Sequence, residues 1–175
     1  MKIKVFVMII ILMAALAMFL SMGPRSEQQQ QVAQSSDHVY ASWETMEFDK
    51  CVAAWLIIRF IDKDAKFVFY PGETEITEGI VFDVPGALWS RQHRKCTSDC
   101  VLETIESPDD GVKYIVSCAQ NVELNFWQLD SFPDTCKHFD EVKGIFDITP
   151  DRMECLEKTQ LYFDRIYENY LNKVE

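Results

Sequence analysis

The stretch Phe82-Asp-Val-Pro-Gly-Ala-Leu-Trp-Ser-Arg-Gln-His-Arg-Lys-Cys-Thr-Ser-Asp-Cys100 holds the end of a strand, a turn and the start of a helix. The apolar run over 80–84 reads as a strand, and Pro85-Gly86 stops it with the residue pair that favours a tight turn. Thr97 or Ser98 offers a side-chain oxygen to the first amides of a helix running to about residue 105. Between turn and helix lie Arg91, His93, Arg94 and Lys95, followed by Cys96, Asp99 and Cys100. In a chain of net charge −11 this knot of cations stands against its background. A cationic loop beside thiols suits a small oxyanion, because guanidinium and ammonium groups give it charge-assisted hydrogen bonds.

Outward from that stretch the elements alternate in type. Upstream, residues 51–61 carry Val52, Trp55, Leu56, Arg59 and Phe60 at helical spacing, and Asp49 is placed to cap them. Residues 66–70 are aromatic and β-branched, a strand closed by Pro71-Gly72, and 73–79 form an acidic loop. Downstream, Ser107-Pro-Asp-Asp-Gly111 is a turn by composition. Residues 112–119 fit helix or strand, with helix preferred, and the aromatic stretch 121–134 is broken by Pro133. A helix over 136–146 follows. Thr149-Pro150 then opens the last helix, which keeps Met153, Leu156, Gln160, Phe163, Ile166 and Tyr170 on one face to about Leu171. Two or three short strands among about five helices predict a single, mainly helical α+β domain rather than a repeated β-α-β fold.

The N-terminus reads differently. Lys2 and Lys4 precede an unbroken apolar run from Val5 to Leu20, the pattern of an export signal, and residues 1–23 are expected to be either a cleaved signal peptide or an uncleaved membrane anchor. Residues 24–42, rich in Gln and Ser, are expected to be a disordered tether. Residues 43–175 remain as one domain, long enough for a single core. Without Lys2 and Lys4, fifteen basic residues face 28 acidic ones, a charge of −13 for the exported part. Such a surface repels nucleic-acid backbones and anionic headgroups, so no nucleic-acid partner is expected, membrane contact falls to the N-terminal segment alone, and the domain should be a monomer. The location implied is extracytoplasmic, periplasmic in a bacterial cell, with or without a tether to the inner membrane.

All six cysteines, Cys51, Cys96, Cys100, Cys118, Cys136 and Cys155, follow the leader. Their even number in an exported domain points to disulfides, with buried thiols the other structural reading. Cys96-x-x-x-Cys100 has tolerable metal-ligand spacing, but no second pair follows at a matching interval, so no metal or other cofactor is expected.

The residues also carry a resemblance. Asp49-Lys-Cys-Val-Ala-Ala-Trp-Leu-Ile-Ile-Arg-Phe-Ile-Asp62 resembles the D-R-x-A-C-P-W-L-I-R-R-F-I-D segment that opens the ChrB-type chromate-resistance domain. Phe82-Asp-Val-Pro-Gly86 is similar to its F-D-V-P-G, and Arg94-Lys-Cys-Thr-Ser-Asp99 to its D-R-C-S-F-D. Pro150-Asp-Arg-Met-Glu-Cys-Leu-Glu157 with Tyr162-Phe-Asp-Arg-Ile-Tyr167 resembles the family's closing segments. Four landmarks in one order, over 49–171, make the likeness specific. It implies an exported accessory or binding protein that handles chromate or a related oxyanion. The family's glutamate, and two histidines, stand here as Leu88, Arg91 and Met153, which implies that a carboxylate–imidazole metal site is lost. The family's adjoining cysteine and proline become Ala53 and Ala54.

Candidate ligand-binding residues are therefore Arg59, Arg91, His93, Arg94, Lys95, Cys96 and Asp99, with no catalytic residue assigned. Two other readings remain open. One is a thiol- or metal-dependent oxyanion reductase using Cys96, which needs the thiolate; the other is a disulfide-stapled structural protein of the envelope. Asp49 and Lys50 read as a cap and an ion-pair residue, and Asp83 as a turn residue.

Overall fold

A computed structural model of the chain describes residues 38–174. The expected leader over 1–23, and the expected tether up to residue 37, lie outside the described residues. The final part of that tether is instead a strand. Val39–Trp43 forms β1, with Tyr40, Ala41 and Ser42 buried. Its β-branched and aromatic residues favour a pleated, half-buried backbone, a signal diluted by the polar residues before it. Lys66–Tyr70 (β2) and Ile80–Val81 (β3) flank β1, both parallel to it, giving the order β2-β1-β3.

Tyr40 pairs with Phe67 in register, and their rings stack at 5.7 Å. Phe82 meets Phe67 edge-on, and Trp89 stacks on Tyr40, so aromatic rings cover one face of the sheet. The path from β2 back to β3 has no helix. Residues 71–79 make the return as a loop, held where Trp43 Nε1 donates to the Thr74 carbonyl at 3.0 Å. At its end Gly79 has φ +79°, and a Cβ there would lie 2.8 Å from the Val39 carbonyl oxygen, so only glycine fits.

The first helix, α1 (Phe48–Leu56), starts earlier than its apolar spacing predicts, and all nine of its residues are buried. Wrapped around it are α2 (Thr97–Leu102), α3 (Asp110–Leu124), α4 (Pro133–Ile148) and α5 (Arg152–Val174). A helix surrounded in this way must be apolar on every side, which Val52, Ala53, Ala54, Trp55 and Leu56 satisfy. Burying each of its larger side chains contributes about 1.5–3 kcal/mol. With β1 now in place, β1, α1 and β2 form one β-α-β unit, which the α+β reading had not anticipated.

Beyond Leu56 the helix widens into a π turn, Ile57–Ile61, closed by Asp62 N–H donating to the Ile57 carbonyl at 2.8 Å. The wider turn brings Phe60 edge-on against Trp55 at 5.6 Å. Farther along, the ambiguous stretch 112–119 is helix, capped by Asp109 Oδ1 accepting from Val112 N–H at 2.9 Å. A short 3-10 helix, Phe126–Ser131, leads to α4, and Pro133 begins that helix, its missing N–H costing nothing in the first turn. At α5 the cap differs from the one expected from Thr149: Asp151 Oδ1 accepts from Glu154 N–H at 2.8 Å, while Thr149 is buried and accepts from Lys158 Nζ at 3.1 Å. The predicted face is buried at Leu156, Phe163 and Ile166, but Met153 is exposed.

The expectation of disulfides is corrected. All six cysteines are free, five of them buried and Cys136 half-buried. Spread through the core of a mainly helical domain, they serve as small apolar side chains with weak S–H donors. Cys136 Sγ donates to the Leu129 carbonyl at 3.1 Å, and Cys100 Sγ to the Ser90 carbonyl at 3.4 Å.

Candidate functional site

Three separated segments converge in one buried polar network. Asp49 lies in the first turn of α1, 2 % exposed, and does not cap its own helix. Its carboxylate crosses to α2 and accepts from Thr97 N–H at 2.6 Å and Ser98 N–H at 3.0 Å. Those amides begin α2 and have no partner within the helix. Asp99 completes the cap, accepting from Cys96 N–H at 2.9 Å through Oδ2 and from Gln120 Nε2 at 2.5 Å through Oδ1. Burial pushes the Asp49 carboxyl above its ordinary range, against the pull of its bonds from Ser98 and Thr97.

Asp83 brings in the turn. Its backbone is left-handed at φ 54°, its N–H donates to the Trp89 carbonyl at 2.7 Å, and Val84 to Ala87 close the tight turn at 3.1 Å around Pro85-Gly86. Gly86, at φ +83°, occupies the position where that turn type requires a left-handed residue. Asp83 Oδ1 accepts from the Thr97 hydroxyl at 2.6 Å. Lys50, 2 % exposed, donates to the Trp43 and Thr45 carbonyls, each at 2.6 Å, and forms an ion pair with Asp83 at 3.4 Å. This buried ammonium ties the end of β1 to the turn.

Above this network stand the cations. Gln92 and Lys95 bond to each other through their backbones, at 2.9 and 3.3 Å, so His93 and Arg94 form an exposed turn tip. Arg91 pairs with Glu123, and Lys95 with Glu103. Among the described residues Arg94 and His93 make no ion pair. The N-terminus of α2, where backbone amides could meet an anion, is filled by the chain's own Asp49. The turn tip is thus the part of this cluster open to solvent; beside it the Lys95–Glu103 pair is exposed, whereas the Glu123 partner of Arg91 is largely buried.

Cys96 and Asp99 sit together beneath the tip. The thiol donates to Asp99 Oδ2 at 3.0 Å and is fully buried. Burial, then the charges of Asp49 and Asp99, push it well above the usual thiol range, so it holds its proton and lacks the nucleophilic thiolate. Arg59 is elsewhere. Its Nε donates to Asp164 Oδ1 at 2.8 Å, which also accepts from Trp55 Nε1 at 2.7 Å, so Arg59 fastens the π turn to α5. The seven candidates therefore divide into the exposed Arg91, His93 and Arg94 with the half-buried Lys95, the buried Cys96 and Asp99, and a separate Arg59.

Asp49, Lys50, Asp83, Thr97 and Ser98 belong to the network by contact, and Gln120 joins from α3. All but Gln120 lie inside the matched motifs; nothing in the sequence around Gln120 marks it. A second polar cluster was not read from the sequence. His138 Nδ1 is 2.8 Å from the Tyr162 hydroxyl and Nε2 is 3.1 Å from that of Tyr114. The Glu/His/His positions do not fit a metal. Leu88 and Met153 offer no hard donor, and Arg91 is a cation engaged with Glu123. Among the described residues no three His, Cys, Asp or Glu side chains are grouped to hold one.

The fold and site define a small, mainly helical α+β domain in which a β-turn and a short helix are locked to a buried Asp-Lys pair. A family model described as "ChrB, C-terminal domain" matches residues 40–170. The chain belongs to that family, as a ChrB-type chromate-resistance domain. No curated protein and no solved structure matches it.

Proposed function

We propose that the protein is an exported accessory domain of chromate resistance that binds a small oxyanion at the turn formed by Arg91, His93, Arg94 and Lys95, without chemical turnover. Family membership supports the chromate-resistance role. The observation that carries the binding reading is the placement of the turn: three family motifs lock together beneath it and present His93 and Arg94 to solvent. Arg91 and Lys95 flank the tip, and Lys95 can exchange its exposed partner Glu103 for a doubly charged anion. The protonated Cys96 argues against a reductase that works through this thiol. Loss of the family's carboxylate and imidazoles at Leu88, Arg91 and Met153 supports a binding role over a metal-dependent reaction. Export rests on the leader read from the sequence.

Calorimetric titration of chromate, and of sulfate as its redox-inert shape analogue, tests the proposal. Arg94→Ala should weaken both by about tenfold, the worth of one charge-assisted hydrogen bond. Cys96→Ser should bind as the wild type does. Superimposable curves for wild type and Arg94→Ala would remove the turn from consideration, and loss of chromate absorbance catalysed by the protein would replace binding with reduction.

A further inference from the structure

The outward face of α4 is a groove of about 900 Å³, open to solvent. Pro133, Ile145 and Ile148 give it an apolar floor, and Ile148 is 76 % exposed. Carboxylates rim it at Asp130, Asp140 and Glu141, against one cation, Lys137. Gly144 adjoins the isoleucines toward the C-terminal end, and a Cβ there would meet nothing within 4 Å, so the face is notched beside them. Just before Asp130 the 3-10 helix exposes Phe126 by 60 % and Trp127 by 79 %. Phe126 packs at 6.1 Å against Phe139, which faces the core beside Phe48, so these aromatic rings lie off the groove face.

Isolated exposed apolar residues are ordinary, but apolar side chains set along one open helix face and rimmed by charged groups mark a contact surface. Its length favours a particular shape of partner. At 1.5 Å per residue, Pro133–Ile148 spans about 24 Å, the length of a four-turn helix. Its charge favours a particular chemistry. Three carboxylates to one lysine, on a chain of net charge −11, repel acidic partners and draw cationic ones. An anionic bilayer is repelled by the same field.

We propose that this face docks a basic, amphipathic helix of about four turns from another protein. The apolar side of that helix would lie over Ile145, Ile148 and the Gly144 notch, with its lysines or arginines against Asp130, Asp140 and Glu141. The surface is independent of the oxyanion turn and of any ligand there.

The test uses the full chain and a fluorescein-labelled synthetic helix of about sixteen residues, leucine on one side and lysine on the other, followed by anisotropy. Saturable binding that weakens with added salt is expected. Ile148→Asp and Glu141→Lys should each weaken it by about tenfold. Glu75→Lys, on the loop beyond β2, should leave it unchanged. All three positions are exposed, so circular dichroism should show folded variants. Equal weakening by Glu75→Lys would reduce the effect to net charge and overturn the proposal, as would failure to bind. Dimerisation of the wild type that Ile148→Asp abolishes would assign the face to a second copy instead. Stronger binding to zwitterionic vesicles than to the peptide would assign it to a membrane.

Discussion

Asp49 shows what one carboxylate can hold together. By local pattern it caps the helix that follows; in the fold it caps a different helix, 48 positions away, through Thr97 N–H and Ser98 N–H. No local rule distinguishes the two, because both place an acid near a helix start. Replacing it by alanine would strand two buried donors, and Asp49→Ala should lower unfolding free energy by about 3 kcal/mol, read from urea denaturation. His138 offers a test by pH. Burial holds its imidazole below the ordinary value, with Asp134 and Glu141 pulling upward and Lys137 and Lys173 pulling down. Its folded-state pKa is thus lower than its unfolded one, so the unfolded chain takes up the proton first and stability falls as pH drops. The loss begins near the unfolded value of about 6.5, and urea midpoints should decline between about pH 7 and 5. His138→Gln should flatten that decline.

Among the elements, β1 was the hardest to read, whereas α2 stands where the sequence puts it, with Cys96 rather than Thr97 or Ser98 at its cap position. Helix α2 spans only Thr97–Leu102, too short to stand without the carboxylates of Asp49 and Asp99 at its start. Strand β1 was masked by the Gln- and Ser-rich run before it, although Val39, Tyr40 and Trp43 are good strand formers. The motifs themselves were legible: the Pro85-Gly86 turn, the β2 run and the length of α5 all stand close to where the sequence puts them. Their convergence was not, since parallel pairing and a contact across tens of residues leave no periodic trace. Because β2 and β3 each pair with β1 and not with one another, a chain beginning at Glu44 should lose the sheet and the Trp43 carbonyl that Lys50 needs. It should show collapsed dispersion in a proton NMR spectrum, whereas a chain beginning at His38 should keep it.

For the molecule as a whole, the cysteines decide what kind of stability it has. An even count suggested staples; the fold holds six separate thiols and relies on packing around α1. A thiol-reactive dye under denaturing, non-reducing conditions should therefore titrate all six, and in the native state react fastest with the half-buried Cys136. Four or fewer under denaturing conditions would restore at least one bridge.

One consequence concerns force. The first described strand is also the seam that both neighbouring strands share, so any tension arriving along the preceding chain would load the sheet at its centre rather than at a margin. A domain so wired cannot yield gradually at that end: once the seam slips, both pairings go together, and with them the lysine fastening beneath the cationic tip.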